Sequence, residues 1–336
     1  MTETLLIIGV VEHRELLIRT ALERGMTLAI IDDADSPMLQ MAHIRVPVAD
    51  IFNPDELEAA FQRVLAVTTP NGILTLFDEL LVPTAEFARR IACPFLSPRT
   101  ALLAFNKVEQ RAALARASVP IPRWEACDDL PSAVAAAGRI GYPVVLKVAD
   151  QAGGIGKVRV ACQADLEAAF GTVLSERLDS AVPLLVEEMV CGQKYSVEGF
   201  VYNGSSTLIC IAKSFSLPGD HPIEMAQAIP YHGPDADGVA GTAFNAAAAM
   251  GVDNSFFDIE VMATAAGPRL IEVNARHMGD RMMDLIMHAT GVNPYNTIFD
   301  LAFGIEPTWD RVQWDRAVGI RFVLPETTGI DRKSVV

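Results

Sequence analysis

Residues 256–276 read "FFDIEVMATAAGPRLIEVNAR", and their alternation could do chemistry. Strand periodicity sets Phe257, Ile259 and Val261 on one face and Asp258, Glu260 and Met262 on the other. After the Gly-Pro turn, Ile271 and Val273 share a face while Glu272, Asn274 and Arg276 point the opposite way. A hairpin loop of three or five residues then sets Glu260 directly across from Glu272. Facing side chains lie about 4.5–5.5 Å apart at Cβ, where like charges repel. A bound cation removes that conflict. Two carboxylates and the Asn274 amide oxygen form a hard donor set suited to Mg²⁺, which shares its shell with water and phosphate. Zinc is disfavoured, because no soft ligand accompanies them. The competing reading turns one glutamate to solvent at a sheet edge, or slips the register.

The second stretch, residues 142–160, reads "YPVVLKVADQAGGIGKVRV". Lys147 sits in a buried-strand run, followed by Gly153, Gly154 and Gly156 and a second β-branched run. The spacing fails the G-x-x-x-x-G-K-[ST] phosphate loop twice, with Gln151 at the first glycine position and Val158 at the hydroxyl position. What remains is strand, glycine-rich loop, strand. Such a loop can aim backbone N–H groups at phosphates, or can simply turn a hairpin. Both readings stand on this stretch alone.

The elements that must position these residues follow from periodicity. The first hundred residues alternate strand signals ("TLLIIGVV", "TLAIIDD", "GILTLFD") with helix signals ("HRELLIRTALERG", "NPDELEAAFQRVLA"), which predicts βαβ units and a parallel sheet. Asp32 and Asp33 end the second strand, but the first turn, "GVVEHRE", lacks the glycines of a dinucleotide site. Residues 97–119 read as helix, and "PIPRW" as an extended linker. Beyond "PLLVEEMV" the texture becomes antiparallel, with "NGSS" as a hairpin turn.

The chain of 336 residues has room for two or three domains, and half of it is hydrophobic. Its formal charge of −15 argues against nucleic-acid and anionic-membrane partners, although an acidic surface can still hold a basic cleft. No stretch has the length of a membrane span. Five scattered cysteines without a CxxC pair fit reduced thiols and a cytoplasmic location.

In their order, the strand lysine, glycine loop, "VEEMVCG" and "DIEV…LIEVNAR" resemble the ATP-grasp superfamily from about residue 96 to 296. The resemblance implies an α/β plus α+β chain: a Rossmann-like domain over 1–96, then a two-subdomain ATP-grasp fold divided at 97–186 and 187–336. It also implies ATP and Mg²⁺, with Mn²⁺ as an alternative. By the same resemblance Lys107 and Lys147 contact phosphate, with Lys147 and Arg276 catalytic. Gly153, Gly154 and Gly156 form the lid loop. Glu187, Glu188 and Val190 belong to the hinge that meets adenine, and Glu260, Glu272 and Asn274 hold the metal. Arg276 faces the acyl phosphate or the substrate carboxylate.

"NARHMGDRMMDLIMHATGVNPY" and "HPIEMAQAIP" resemble the branch of carboxylate–amine ligases, which implies small-molecule carboxylate and amine substrates, amino acids foremost. A purine-pathway carboxylase and a catalytically silent ATP-binding module are the alternatives. Lys194 stands where many relatives carry a ribose-binding glutamate, which shifts that contact to Glu198 or another group. Gln227 stands where the branch often has histidine. His277, Lys213, Glu79 and Glu86 lie near the motifs as further contacts or as ordinary solvated groups. The chain stops at Val336, where relatives continue for several strands; the expectation is a compact variant, a truncated form, or a wall borrowed from a partner, as in a homodimer.

Overall fold

The computed structural model describes residues 3–11, 14–151, 155–216, 224–309 and 312–322, so Gly153 and Gly154 lie outside the described residues. The N-terminal region is a parallel sheet of β1 (Thr4–Ile8), β2 (Thr27–Asp33), β3 (Ile44–Val48) and β4 (Gly72–Thr75), with α1 (Glu15–Glu23), α2 (Pro54–Leu65) and α3 (Leu81–Arg90). Its strand order is β3-β2-β1-β4. The expected βαβ pattern is present, with one strand more than the periodicity showed. β3 hides because Arg45 and Pro47 are exposed between buried positions, and proline is tolerated there because the strand lies at the edge. Ser36, in the following turn, donates to Asp32 at 2.5 Å, and the N–H of Ile51, in the loop beyond β3, donates to Asp33 at 2.8 Å.

The expected helix over 97–119 is two helices, α4 (Pro98–Phe105) and α5 (Lys107–Arg116). Asn106 breaks it by capping α5, its side chain accepting from the Val108 and Glu109 N–H groups. The cap puts Lys107 at the first position of α5.

Next come β5 (Trp124–Cys127), α6 (Leu130–Ile140), β6 (Val144–Val148), β7 (Lys157–Val160), α7 (Gln163–Ser175) and β8 (Leu184–Glu188). The four strands form an antiparallel lid sheet, β5-β8-β6-β7, with α6 and α7 packed over Val144, Leu146 and Val186.

The third sheet is built from β9 (Gln193–Tyr202), β10 (Ser205–Ser216), β11 (Glu224–Ile229), β12 (Ser255–Thr264), β13 (Gly267–Asn274) and β14 (Val318–Arg321). Its order is β13-β12-β9-β10-β11-β14. The chain crosses it with α8 (Ala236–Met250), α9 (Met282–Thr290) and α10 (Tyr295–Ala302). Tyr195, Val197, Phe257, Ile259 and Val273 bury one face against α4, α5 and α8. Phe200 and Phe256 join a core shared with α9, α10 and the N-terminal sheet.

The packing redraws one expected boundary. Residues 97–116 belong to the core of the six-stranded sheet, not to the lid, while β8 stays in the lid sheet to Glu188. Helical periodicity shows an apolar face on α4 but not which sheet covers it, and α5 buries Gln110 and Arg111 beside Ala113 and Leu114, so its sequence marks no apolar face.

Candidate active site

The second face of the six-stranded sheet carries the polar residues. Glu260 faces Glu272 in direct register, and Asp258 faces Asn274. The route to this pairing differs from the expected odd loop. Thr264 pairs with Gly267 across a two-residue turn, and a one-residue irregularity opposite Glu260/Val261 restores the parity. Ile271 is the extra residue, so Leu270, not Ile271, joins Val273 in the core.

The two carboxylates meet cations from different elements. Lys107 ion-pairs with Glu272 at 2.9 Å, and Lys194 with Glu260 at 2.9 Å and Glu224 at 2.7 Å. Burial works against charge on Glu272, but Lys107 and then Lys147 hold its carboxyl down to about 2, so it is anionic at any physiological pH. Among the described residues no group of three His, Cys, Asp or Glu side chains is arranged to hold a metal ion. Two facing carboxylates and the Asn274 amide still fit Mg²⁺, whose remaining positions water and phosphate oxygens fill.

The lid contributes Lys147 from β6, 2.5 Å from Glu187 on β8. Arg111 of α5 is also paired with Glu187. Burial lowers the pKa of the Lys147 ammonium and Glu187 opposes that effect. The carboxyl of Glu187 is lowered by Arg111 and Lys147 against its own burial. Glu187 thus spends its side chain on cations, leaving only backbone for any hinge contact. Glu188 pairs with Arg123 at 3.2 Å, and Val190 follows the strand, half-buried.

Gly156 ends the loop in the left-handed region at φ 60°, where a Cβ would sit 2.6 Å from the Val148 side chain. Its carbonyl accepts from the Val148 N–H at 2.9 Å. Lys107 anchors the loop's base through its N–H to the Ala149 carbonyl at 2.8 Å and its ammonium to the Gln151 carbonyl at 2.6 Å.

Arg276 lies where the sheet meets the N-terminal region. It donates twice to Asp78, at 3.0 and 2.7 Å, and sits 3.8 Å from Asp258. A pocket of about 300 Å³ opens beside it, with Arg14, Phe77, Glu79 and Met278 among its lining residues. Arg14 is held by the Met278 carbonyl at 3.0 Å and the Tyr295 hydroxyl at 3.4 Å. Ile155, just before Gly156, also reaches this pocket.

Glu198 is not brought to the cleft surface. It is wholly buried, accepts from the Met278 N–H at 2.9 Å and faces Asp258 across β9 and β12, which leaves no surface for a ribose hydroxyl. Burial and then Asp258 push its pKa well up. Lys213 is also displaced: it lies over the Phe215 and Tyr231 rings, pairing in register with core-facing Tyr195. His277 is buried, its Nδ1 2.8 Å from the Met278 carbonyl. Gln227 is buried beside Glu224 on the polar face.

The residues that sequence reasoning missed are Asp78, Arg111, Gln110 and Glu224. Arg111 and Gln110 carried one faint signal, two long polar side chains beside each other in a helix otherwise rich in alanine. Asp78 opens a 3-10 turn of three residues and Glu224 starts β11, where no period marks them.

With this geometry in place, the likeness to known proteins becomes specific. Residues 140–284 match the model of the ATP-grasp domain. The chain is 26% identical over 261 residues to carnosine synthase 1 of Mus musculus, covering 70% of this chain and 31% of that protein. It therefore spans about a third of the length of that curated relative. In structure it superposes on the L-amino acid ligase of Bacillus licheniformis with a TM-score of 0.82 at 19% identity, covering 95% of this chain and 79% of the other. The biotin carboxylase domain of the 2-oxoglutarate carboxylase of Hydrogenobacter thermophilus, a complex with MgADP, ADP and bicarbonate, gives 0.77 at 19% identity, covering 95% and 74%. The structural matches run across all three sheets and share the fold, and the family model covers the stretch from the end of α6 through β12 and β13 into α9: residues 140–284 are similar to an ATP-grasp domain.

Proposed function

We propose that the protein is an ADP-forming ligase that activates a small-molecule carboxylate as an acyl phosphate and couples it to an amine. The observation that carries this reading is the in-register pair Glu260 and Glu272 beside Lys107 and Lys147, with Arg276 at the neighbouring pocket. Phosphoryl transfer needs positioning and charge neutralisation more than covalent help from the protein. Lys107 and Lys147 supply fixed positive charge near Glu272. Glu260, Glu272 and Asn274 would hold Mg²⁺, which neutralises phosphate oxygens when bound. Gly156 lets the loop approach closely, and the backbone of residues 187–190 is the adenine edge. Arg276 is placed to orient a carboxylate in the pocket, where Arg14 and Glu79 offer both signs of charge. The likeness to an L-amino acid ligase and to carnosine synthase 1 supports amino acids as the substrate class.

A second reading, an ATP-binding module without turnover, is favoured by Lys194, whose ammonium already neutralises Glu260. One assay decides between them: ADP and phosphate release with ATP and Mg²⁺ across pairs of amino acids. Release that requires both an acid and an amine supports the ligase. ATP binding without release under every pairing supports the module. Glu272→Gln is expected to abolish release while circular dichroism stays unchanged, and wild-type release in that variant would sink the metal assignment.

A further inference from the structure

Three residues of α5 hold three consecutive residues of β13. Lys107 ion-pairs with the Glu272 carboxylate at 2.9 Å. Gln110 accepts from the Val273 N–H at 3.2 Å and donates to the Val273 carbonyl at 3.0 Å. Arg111 donates to the Ile271 carbonyl. β13 is the edge of its sheet, so its outward backbone groups have no neighbouring strand. The Gln110 amide supplies a donor and an acceptor in the place of that strand. The irregularity at Ile271 turns one further carbonyl to Arg111.

Arg111 does more than hold β13. Its guanidinium also donates to Glu187 on β8, and Glu187 in turn holds the Lys147 ammonium at 2.5 Å. One planar fork therefore spans two sheets, the lid sheet carrying Lys147 and the large sheet carrying Glu272. Gln110 and Arg111 are each about 1% exposed, so neither can touch a ligand in the cleft. Buried polar groups are costly unless their hydrogen bonds are made, and a satisfied network such as this one rigidifies the elements it joins.

We infer that Gln110 and Arg111 are positioning residues: they fix the metal-binding carboxylate of Glu272 and the Lys147 ammonium at one mutual distance, so that phosphate and metal are gripped together. Gln110 sets the height of β13 against α5, and Arg111 ties that height to the lid. The inference rests on the nucleotide-binding reading above. An outer partner of a metal ligand changes metal affinity by about 10- to 100-fold when altered.

The test is calorimetric titration of ATP into the full chain, with Mg²⁺ and again with EDTA, for wild type, Arg111→Lys, Arg111→Met and Gln110→Met. The readout is the gain in affinity that Mg²⁺ confers, which a general loss of stability does not move. Lysine keeps the charge that balances Glu187 but cannot reach both acceptors. Arg111→Lys is therefore expected to recover the melting temperature lost in Arg111→Met without recovering the metal-linked gain. Gln110→Met is expected to lower the same gain about 10- to 100-fold and to speed amide exchange at Val273. A wild-type gain in both Arg111→Lys and Gln110→Met would overturn the positioning role. ATP failing to bind the wild-type protein with or without metal would instead overturn the nucleotide reading, and this role with it.

Discussion

Glu187 and Glu198 are both glutamates on central strands and both buried, at 4% and 0% exposure, yet their surroundings are opposites. Glu187 meets two cations, Arg111 and Lys147, and its carboxyl is held low against burial. Glu198 meets another acid, Asp258, and keeps one oxygen, Oε1, without a hydrogen-bond partner. Its nearest favourable contact is a backbone N–H, that of Met278. The first glutamate is anchored as an anion because the lysine and arginine it holds would otherwise be like charges buried together. The second favours its proton because burial disfavours its charge, and Asp258 opposite adds to that penalty. Burial alone therefore does not decide the charge of a buried acid; the partners across the strand and from the neighbouring helix do.

The same substitution should act in opposite directions at the two positions. Glu187→Gln removes the anion that compensates two buried cations, so it is expected to cost about 3–5 kcal/mol. Urea unfolding measures this, and a loss below 1 kcal/mol would mean that the cluster is wetter than its burial implies. Arg276→Met comes next. It leaves Asp78 and Asp258 without their shared guanidinium and is expected to cost about 1–3 kcal/mol by the same measurement.

Glu198→Gln is the smallest change and the one of opposite sign. Its amide can still accept from the Met278 N–H and can donate to Asp258, whose Oδ1 has no partner. In the unfolded chain Glu198 titrates near 4.5, and in the folded chain well above that. Between those values the folded state keeps a proton that the unfolded state releases, so wild-type stability falls as pH rises through that window. The amide does not titrate. Glu198→Gln should therefore match wild type at pH 4 and gain on the order of 1 kcal/mol at pH 8. Thermal melts across that range check it, and an amide variant that is less stable at pH 8 breaks the comparison.

Much of this contrast was invisible in the sequence, and much of the site was not. Strand alternation was enough to pair Glu260 with Glu272, because a register error of one residue would move every buried side chain of β12 to the polar face. The pair survived even though the turn is shorter than expected, since the extra residue at Ile271 restores the same parity. Lys147 was legible because a charged residue in a buried run breaks local pattern, whereas Gly153 and Gly154 of the glycine cluster lie outside the described residues. β3 was not legible, because its exposed Arg45 and Pro47 interrupt the apolar run. Arg111, Gln110, Asp78 and Glu224 left almost no local signal. Each acts on a partner between 3 and 198 residues away, and most on partners more than 75 residues away.

By itself the sequence determined most of the order of elements, the two faces of β12, and the set of side chains proposed to meet phosphate and metal. Those are properties of short windows, fixed by periodicity and by which residue types tolerate burial. Only the tertiary structure decided which cation each carboxylate receives: Lys107 for Glu272, Lys194 for Glu260, and Arg111 with Lys147 for Glu187. It also decided that Glu198 faces Asp258 within the sheet instead of the cleft. The physical reason is that charge pairing depends on distance through space, and three sheets folding on one another set those distances.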